Sequence, residues 1–240
     1  KMMRELNAKP DSVTELKKIW SYKKQEDGTL VITKYKGMST EVIVPEKIGK
    51  SAVTAIGHSA FAGGSGLCAG RVTPNVSHEL MAARRKITKL VLPSGLKSIG
   101  LGAFAYMLSL ESIDIPESVT EIGDCAFYEC DSLKSVTVPG GVKSISEYCF
   151  SRCKKLQDVK ICHGVEEICE GAFRNSDELR RVEIPASVKE IKTVLRRHGN
   201  TICEAFDSWA FFLKIYVVKG SAAEEYCKEK HFKYEYMEEI

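Results

Sequence analysis

The chain has 240 residues, 44% of them hydrophobic and 28% charged, a balance that supports a sizeable core and argues against disorder. Its net charge is +3, from 35 Lys+Arg interleaved with 32 Asp+Glu. That surplus is too small for a dedicated nucleic-acid binder. No apolar run approaches the roughly 18–20 residues that span a bilayer, so no membrane insertion is expected. Lys1-Met2-Met3-Arg4 is not followed by the apolar core of a signal peptide, which reads as a cytoplasmic protein or as one whose leader has been removed.

In chain order, Asp11 or Ser12 is placed to cap a short helix carrying Val13, Leu16 and Ile19. Two alternating segments, Trp20 to Lys24 and Thr29 to Tyr35, flank Asp27-Gly28, a strong hairpin signal. From there the sequence repeats. Phe104, Phe127, Phe150 and Phe173 stand 23 residues apart. Around them recur Leu96/Val119/Val142/Val165, Ile99/Ile122/Ile145/Ile168 and Leu110/Leu133/Leu156/Leu179. Next come the alternating triplets headed by Ile113, Val136, Val159 and Val182. Pro93, Pro116, Pro139 and Pro185 close most triplets, with Cys162 once in their place. Phe61 and Phe206 extend the series if insertions are allowed near 68–87 and 192–201, after which the register resumes at Phe212, Ile215 and Val217. Ser77 to Lys86 reads as a short helix with a basic end. Ser221-Ala222-Ala223-Glu224 fits a capping box opening a last helix through about Lys230, with Tyr226 set to pack on the final coil.

A triplet such as Ile113-Asp114-Ile115 buries alternate residues and so forms a short strand. Proline then ends it, because it lacks the N–H that a continuing ladder needs. The return to the next triplet is too short for a long helix and is expected as short strand, turn or 3-10 pieces. One such coil cannot bury its apolar face alone, whereas stacked coils share a continuous core. The expectation is an α/β repeat solenoid of about six coils of 23 residues forming one domain. Residues 1–37 make an N-terminal hairpin cap, 38–218 the repeats, and 219–240 a helical C-terminal cap.

The pattern Ile113-Asp114-Ile115-Pro116, Val119, Ile122-Gly123, Ala126-Phe127, Cys130 and Leu133 resembles the BspA-like leucine-rich repeat family. The opening Asp27-Gly28-Thr29 through Tyr35-Lys36-Gly37 and the closing Lys219-Gly220-Ser221 through Tyr226 are similar to that family's caps. The resemblance covers about Trp20 to Tyr236. It implies a right-handed leucine-rich-repeat solenoid, a surface or secreted location, adhesion to host matrix or cell-surface proteins, and no catalytic residue to carry over.

The residues agree that enzyme chemistry is not expected. His58, His78, His163, His198 and His231 are scattered, so no Cys–His pair is indicated for nucleophilic catalysis. No Cys-x-x-Cys occurs, and Cys162-His163 with Cys169 is only a loose cluster, so neither metal nor cofactor is expected. Among the nine cysteines, Cys130 and Cys153 share a register, near enough on adjacent coils for a disulfide, but read rather as small buried residues. The others follow no one register, which favours mostly free thiols.

Two surfaces are candidates for a protein partner. One is the insertions: Arg84, Arg85 and Lys86 end the predicted helix, and Arg196 and Arg197 lie in the second insertion. They read either as a basic lip or as solvated cations that favour a helix C-terminus. The other is the outward stripe of the strands, Asp114, Lys160, Glu183, Lys214 and Tyr216, polar and mixed in sign, with Tyr216 as an anchor. The leading function is a non-catalytic protein-binding module of adhesin type, with an intracellular scaffold of the same fold as alternative. Oligomeric state is left open.

Overall fold

The structure is a computed structural model that describes residues 13–65, 72, 74–195, 202–206 and 212–238. Helix α1 (Val13–Ile19) leads into a hairpin of β1 (Trp20–Lys24) and β2 (Leu30–Tyr35), paired antiparallel across the Asp27-Gly28 turn. Its proposed caps Asp11 and Ser12 lie outside the described residues. The turn closes because Asp27 accepts from both the backbone N–H and the hydroxyl of Thr29, which holds the Asp27 carboxyl below its usual range.

Thereafter the chain alternates between two rows of short strands. The next are β3 (Glu41–Ile43), β4 (Lys47–Ile48) and β5 (Ser51–Ile56). Helix α2 (His78–Arg85) follows, then β6 (Lys89–Val91), β7 (Ser98–Ile99) and β8 (Glu121–Ile122). The central coils hold β9 (Ser135–Val138), β10 (Ser144–Ile145), β11 (Asp158–Ile161) and β12 (Glu167–Ile168). Then come β13 (Arg181–Ile184), β14 (Glu190–Ile191), β15 (Thr193–Leu195) and β16 (Ile202–Glu204). The chain closes with β17 (Lys214–Val217), helix α3 (Ala222–Glu229) and β18 (Lys233–Tyr236).

The proline-terminated triplets form one row. Strands β9, β11, β13, β17 and β18 are all parallel, with Ser135, Asp158, Arg181, Lys214 and Lys233 in register. At the other end β3 pairs with β6, and Lys89 bridges to Ser112. The two-residue strands β7, β8, β10, β12 and β14 make the second row, and in the central coils turns rather than helices join the rows. Parallel pairing at a constant chain step is what repeated identical connections produce, and it is the solenoid expected from the periodicity.

Between the rows runs an aromatic spine. Phe61, Phe104, Phe127, Phe150, Phe173 and Phe206 are buried, with consecutive ring centroids 5.4, 5.3, 5.1, 5.7 and 5.2 Å apart. The last three steps are stacked within 6° of parallel. Tyr35 lies on Phe61 at 5.3 Å and Trp20 on Tyr35 at 5.0 Å, while Tyr226 follows Phe206 at 6.3 Å. The hairpin and α3 thus supply the rings that the first and last coils would otherwise leave bare.

The turns carrying the first five spine phenylalanines enter through a left-handed residue two positions earlier: Ser59, Gly102, Cys125, Tyr148 and Gly171 all have φ between 51° and 63°. Only glycine does this freely. At Gly171 there is a second reason, because a Cβ would meet the Tyr148 ring at 2.5 Å.

Three expectations change. The register does not resume at Phe212, which is 85% exposed; Leu213 is buried instead, so the link from Phe206 to β17 carries its apolar anchor one residue later. The second insertion contains an antiparallel hairpin, β15–β16. Finally, Val42-Ile43-Val44-Pro45 is a further repeat triplet: Val42 and Val44 are buried and β3 takes the place of a coil strand beside β6.

Candidate functional site

The strand row presents two parallel files of outward side chains, because alternate residues of every strand point away from the core. One file runs Ile43, Val91, Asp114, Thr137, Lys160, Glu183, Tyr216 and Glu235; the flanking file runs Glu41, Lys89, Ser112, Ser135, Asp158, Arg181, Lys214 and Lys233. The structure therefore brings Asp114, Lys160, Glu183, Lys214 and Tyr216 onto one surface.

Its two ends differ. At the first coils Ile43 and Val91 stand opposite each other and are 45% and 41% exposed, and the nearby Met38 is 57% exposed. At the last coils the charges pair among themselves. Arg181 donates from Nη2 to Glu183 at 2.8 Å and lies 4.1 Å over the Tyr216 ring, and Lys214 bonds Glu235 at 2.7 Å. These bonds hold the Arg181 guanidinium and the Lys214 ammonium above their usual ranges and Glu235 below its own. Tyr216, expected as an open anchor, is thus half-covered by its neighbour. Ile43 was missed because the triplet holding it was not recognised as a coil; its flanking proline, Pro45, is the signal that identifies it.

The basic end of the first insertion is different from what its sequence suggests. Helix α2 starts at Ser77, whose hydroxyl accepts from Leu80 N–H at 3.2 Å. Arg84, expected at the surface, is fully buried. Its guanidinium donates from Nε and Nη2 to Tyr35 O, at 3.2 and 2.5 Å, and from Nη1 to Ala62 O at 3.1 Å. Burial away from water pulls its pKa down to about 10. Arg84 is a clamp holding α2 to the first coils and is withdrawn from any binding surface. Arg85 donates to Gly63 O at 2.6 Å, and Lys86 is exposed at the helix end. Arg196, Arg197 and His198 lie outside the described residues.

The free thiols among the described residues are unsuited to nucleophilic chemistry. Cys130, Cys149, Cys153, Cys162, Cys169 and Cys227 are free, and burial raises the pKa of each, to about 12 at Cys153 and Cys227. A nucleophilic cysteine needs the opposite shift. Cys130 and Cys153, the pair sharing a register, donate instead to Phe104 O and Phe127 O. Cys125 is disulfide-bonded, which its place in the sequence did not indicate. Among the described residues no three His, Cys, Asp or Glu side chains gather as a metal site, and no helix is long and apolar enough to cross a membrane.

Stacked coils with a long ladder of outward side chains define a repeat solenoid of the leucine-rich class, generally a non-catalytic framework for protein interaction. The chain belongs to the BspA type leucine rich repeat family, whose model matches residues 74–195 in six copies. A leucine rich repeat protein of T. pallidum is 24% identical over 91% of this chain and 96% of its own, with a TM-score of 0.62. The pneumococcal vaccine antigen PcpA is 18% identical over 91% of this chain but 48% of its own length, with a TM-score of 0.54. Both share the fold. No curated protein matches the chain.

Proposed function

We propose that the chain is an adhesin-type binding module, exported or displayed at the cell surface, which holds a host matrix or cell-surface protein against its strand row. One observation carries the reading: the register-aligned files end in an apolar pair, Ile43 and Val91, left exposed where the rest of the row is polar. Exposed aliphatic side chains beside polar ones supply the dry centre and wet rim of a protein interface. In this reading Asp114, Lys160, Glu183, Lys214 and Tyr216 are the polar contacts along the row. Arg85 and Lys86, and Arg196 and Arg197 of the second insertion, are accessory cations.

The second reading, an intracellular scaffold, is favoured by six free thiols among the described residues, as the exported one is by the disulfide at Cys125. A thiol count in non-reducing denaturant separates them: nine thiols sink export in an oxidising environment, and fewer than nine support it.

The binding test is capture of matrix proteins by immobilised protein, in parallel with Ile43→Ser/Val91→Ser and Lys160→Glu variants. Removing residues 68–87 is not a clean alternative, because it takes away buried Arg84 and Ile87. Capture of a matrix protein that falls at least tenfold in the strand-row variants supports the reading. Capture untouched by either variant excludes this surface.

A further inference from the structure

Among the described residues, β18 is the outermost strand of the strand row. It pairs with β17 on one side, and among the described residues no strand pairs with its other side. The N–H of Met237 donates to Val217 O. Backbone groups alternate in direction along a strand, so those of Lys233 and Glu235 also face β17, while those of Tyr234 and Tyr236 face outward. Such an edge is a template for another strand. It carries no proline, its exposed lysine has a glutamate two residues on, and Tyr236 is 54% exposed.

We propose that this edge pairs antiparallel with β18 of a second copy of the chain, joining two strand rows into one two-fold symmetric sheet. The register follows from the backbone. Opposed residues of an antiparallel pair either both face each other with their N–H and C=O groups or both face away. Two symmetric registers that meet this condition pair more than one residue of β18. One sets Glu235 against Glu235 of the second copy, a like-charge contact at close range. The other sets Tyr234 against Tyr234 as a hydrogen-bonded pair, which places Lys233 of each copy against Glu235 of the other at non-hydrogen-bonded positions, where side chains are closest.

The second register also relieves the isolated chain. Lys233 stands in register with Lys214, like beside like, and among the described residues has no ion-pair partner of its own. Glu235 already binds Lys214 at 2.7 Å and has carboxylate capacity left for a second cation. Head-to-tail addition of β18 to the edge of β3 fits less well, since Lys233 would meet Glu41 but Glu235 would meet Ile43, and such a contact does not close.

The test is sedimentation equilibrium of the full chain from about 10 µM to 1 mM, the range suited to an interface this small. The expected result is a mass rising toward twice that of one chain and no further. Lys233→Glu improves the monomer's own contact with Lys214, so it keeps its thermal midpoint yet weakens association at least about tenfold by setting glutamate against glutamate. The exchange Lys233→Glu/Glu235→Lys restores it. A wild type monomeric throughout, a Lys233→Glu variant that associates like the wild type, or a mass that grows without limit each overturns the proposal.

Discussion

Three residues after the spine phenylalanine, the side chain reaches back to the previous coil. Cys130 Sγ donates to Phe104 O at 3.3 Å, Cys153 Sγ to Phe127 O at 3.2 Å, and Ser176 Oγ to Phe150 O at 3.0 Å. In these three coils the position holds a small donor that tolerates full burial, whereas the coil of Phe104 fills it with buried Met107. This explains a shared cysteine register without a disulfide between Cys130 and Cys153. The register and the burial could be read from spacing; the acceptor could not, because it lies 26 residues away on a neighbouring coil. Cys130→Ser is therefore expected to stay within about 1 kcal/mol of the wild type. Cys130→Val, close in size but without a donor, leaves Phe104 O with only the Met107 N–H at 3.3 Å, and is expected to lose about 0.5–1.5 kcal/mol, more than the serine variant. Urea titrations of the two variants check this, and equal midpoints would remove the hydrogen bond from the account.

Helix α2 shows what composition conceals at the scale of an element. Its start at Ser77 and its extent followed from the sequence, yet Arg84 read as one of three surface cations. Spacing holds the correction: Leu80, Arg84 and Ile87 fall at i, i+4 and i+7, one face of a helix, and Ile87 is buried. A guanidinium on that face lasts because Tyr35 O and Ala62 O, at the ends of two earlier segments, accept its hydrogen bonds. Arg84→Ala leaves a cavity and two carbonyls without this donor, and is expected to destabilise by about 2–4 kcal/mol. Lys86→Ala, one turn end away and exposed, is expected to stay within about 0.5 kcal/mol. Thermal and denaturant unfolding of the pair decide it; equal effects would return Arg84 to the surface. The disulfide at Cys125 had no comparable signal, since its position shares a register with Ser59, Gly102, Tyr148 and Gly171, where no residue type recurs consistently.

At the scale of the molecule, the periodicity was enough to read the stacking and the aromatic spine. Where it was interrupted, at Val42–Pro45 and after Phe206, the reading slipped by a coil or by a residue, because period alone cannot say how an insertion is absorbed. A solenoid of this kind is held by contacts between neighbours, so its ends open first. The C-terminal end depends on Glu224, which is 5% exposed. Its carboxylate accepts from Gly220 N–H at 2.6 Å and from the Tyr236 hydroxyl at 2.9 Å, and pairs with Lys228. Ser221 completes the cap by accepting from Glu224 N–H at 3.3 Å. The ion pair with Lys228, followed by the bond from Gly220, lowers the Glu224 pKa to about 2. Since the folded pKa lies below the unfolded one, this contribution is whole above about pH 4.5 and is lost as pH falls toward 2. Acid should therefore free α3 and β18, uncovering Phe206, before the central coils give way. Hydrogen exchange from pH 6 down to about pH 2.5 should show protection lost first in residues 221–237, and Glu224→Gln should show the same early loss already at neutral pH. Uniform loss along the chain, or a Glu224→Gln end as protected as the wild type at neutral pH, would mean that the spine holds its last ring without the carboxylate.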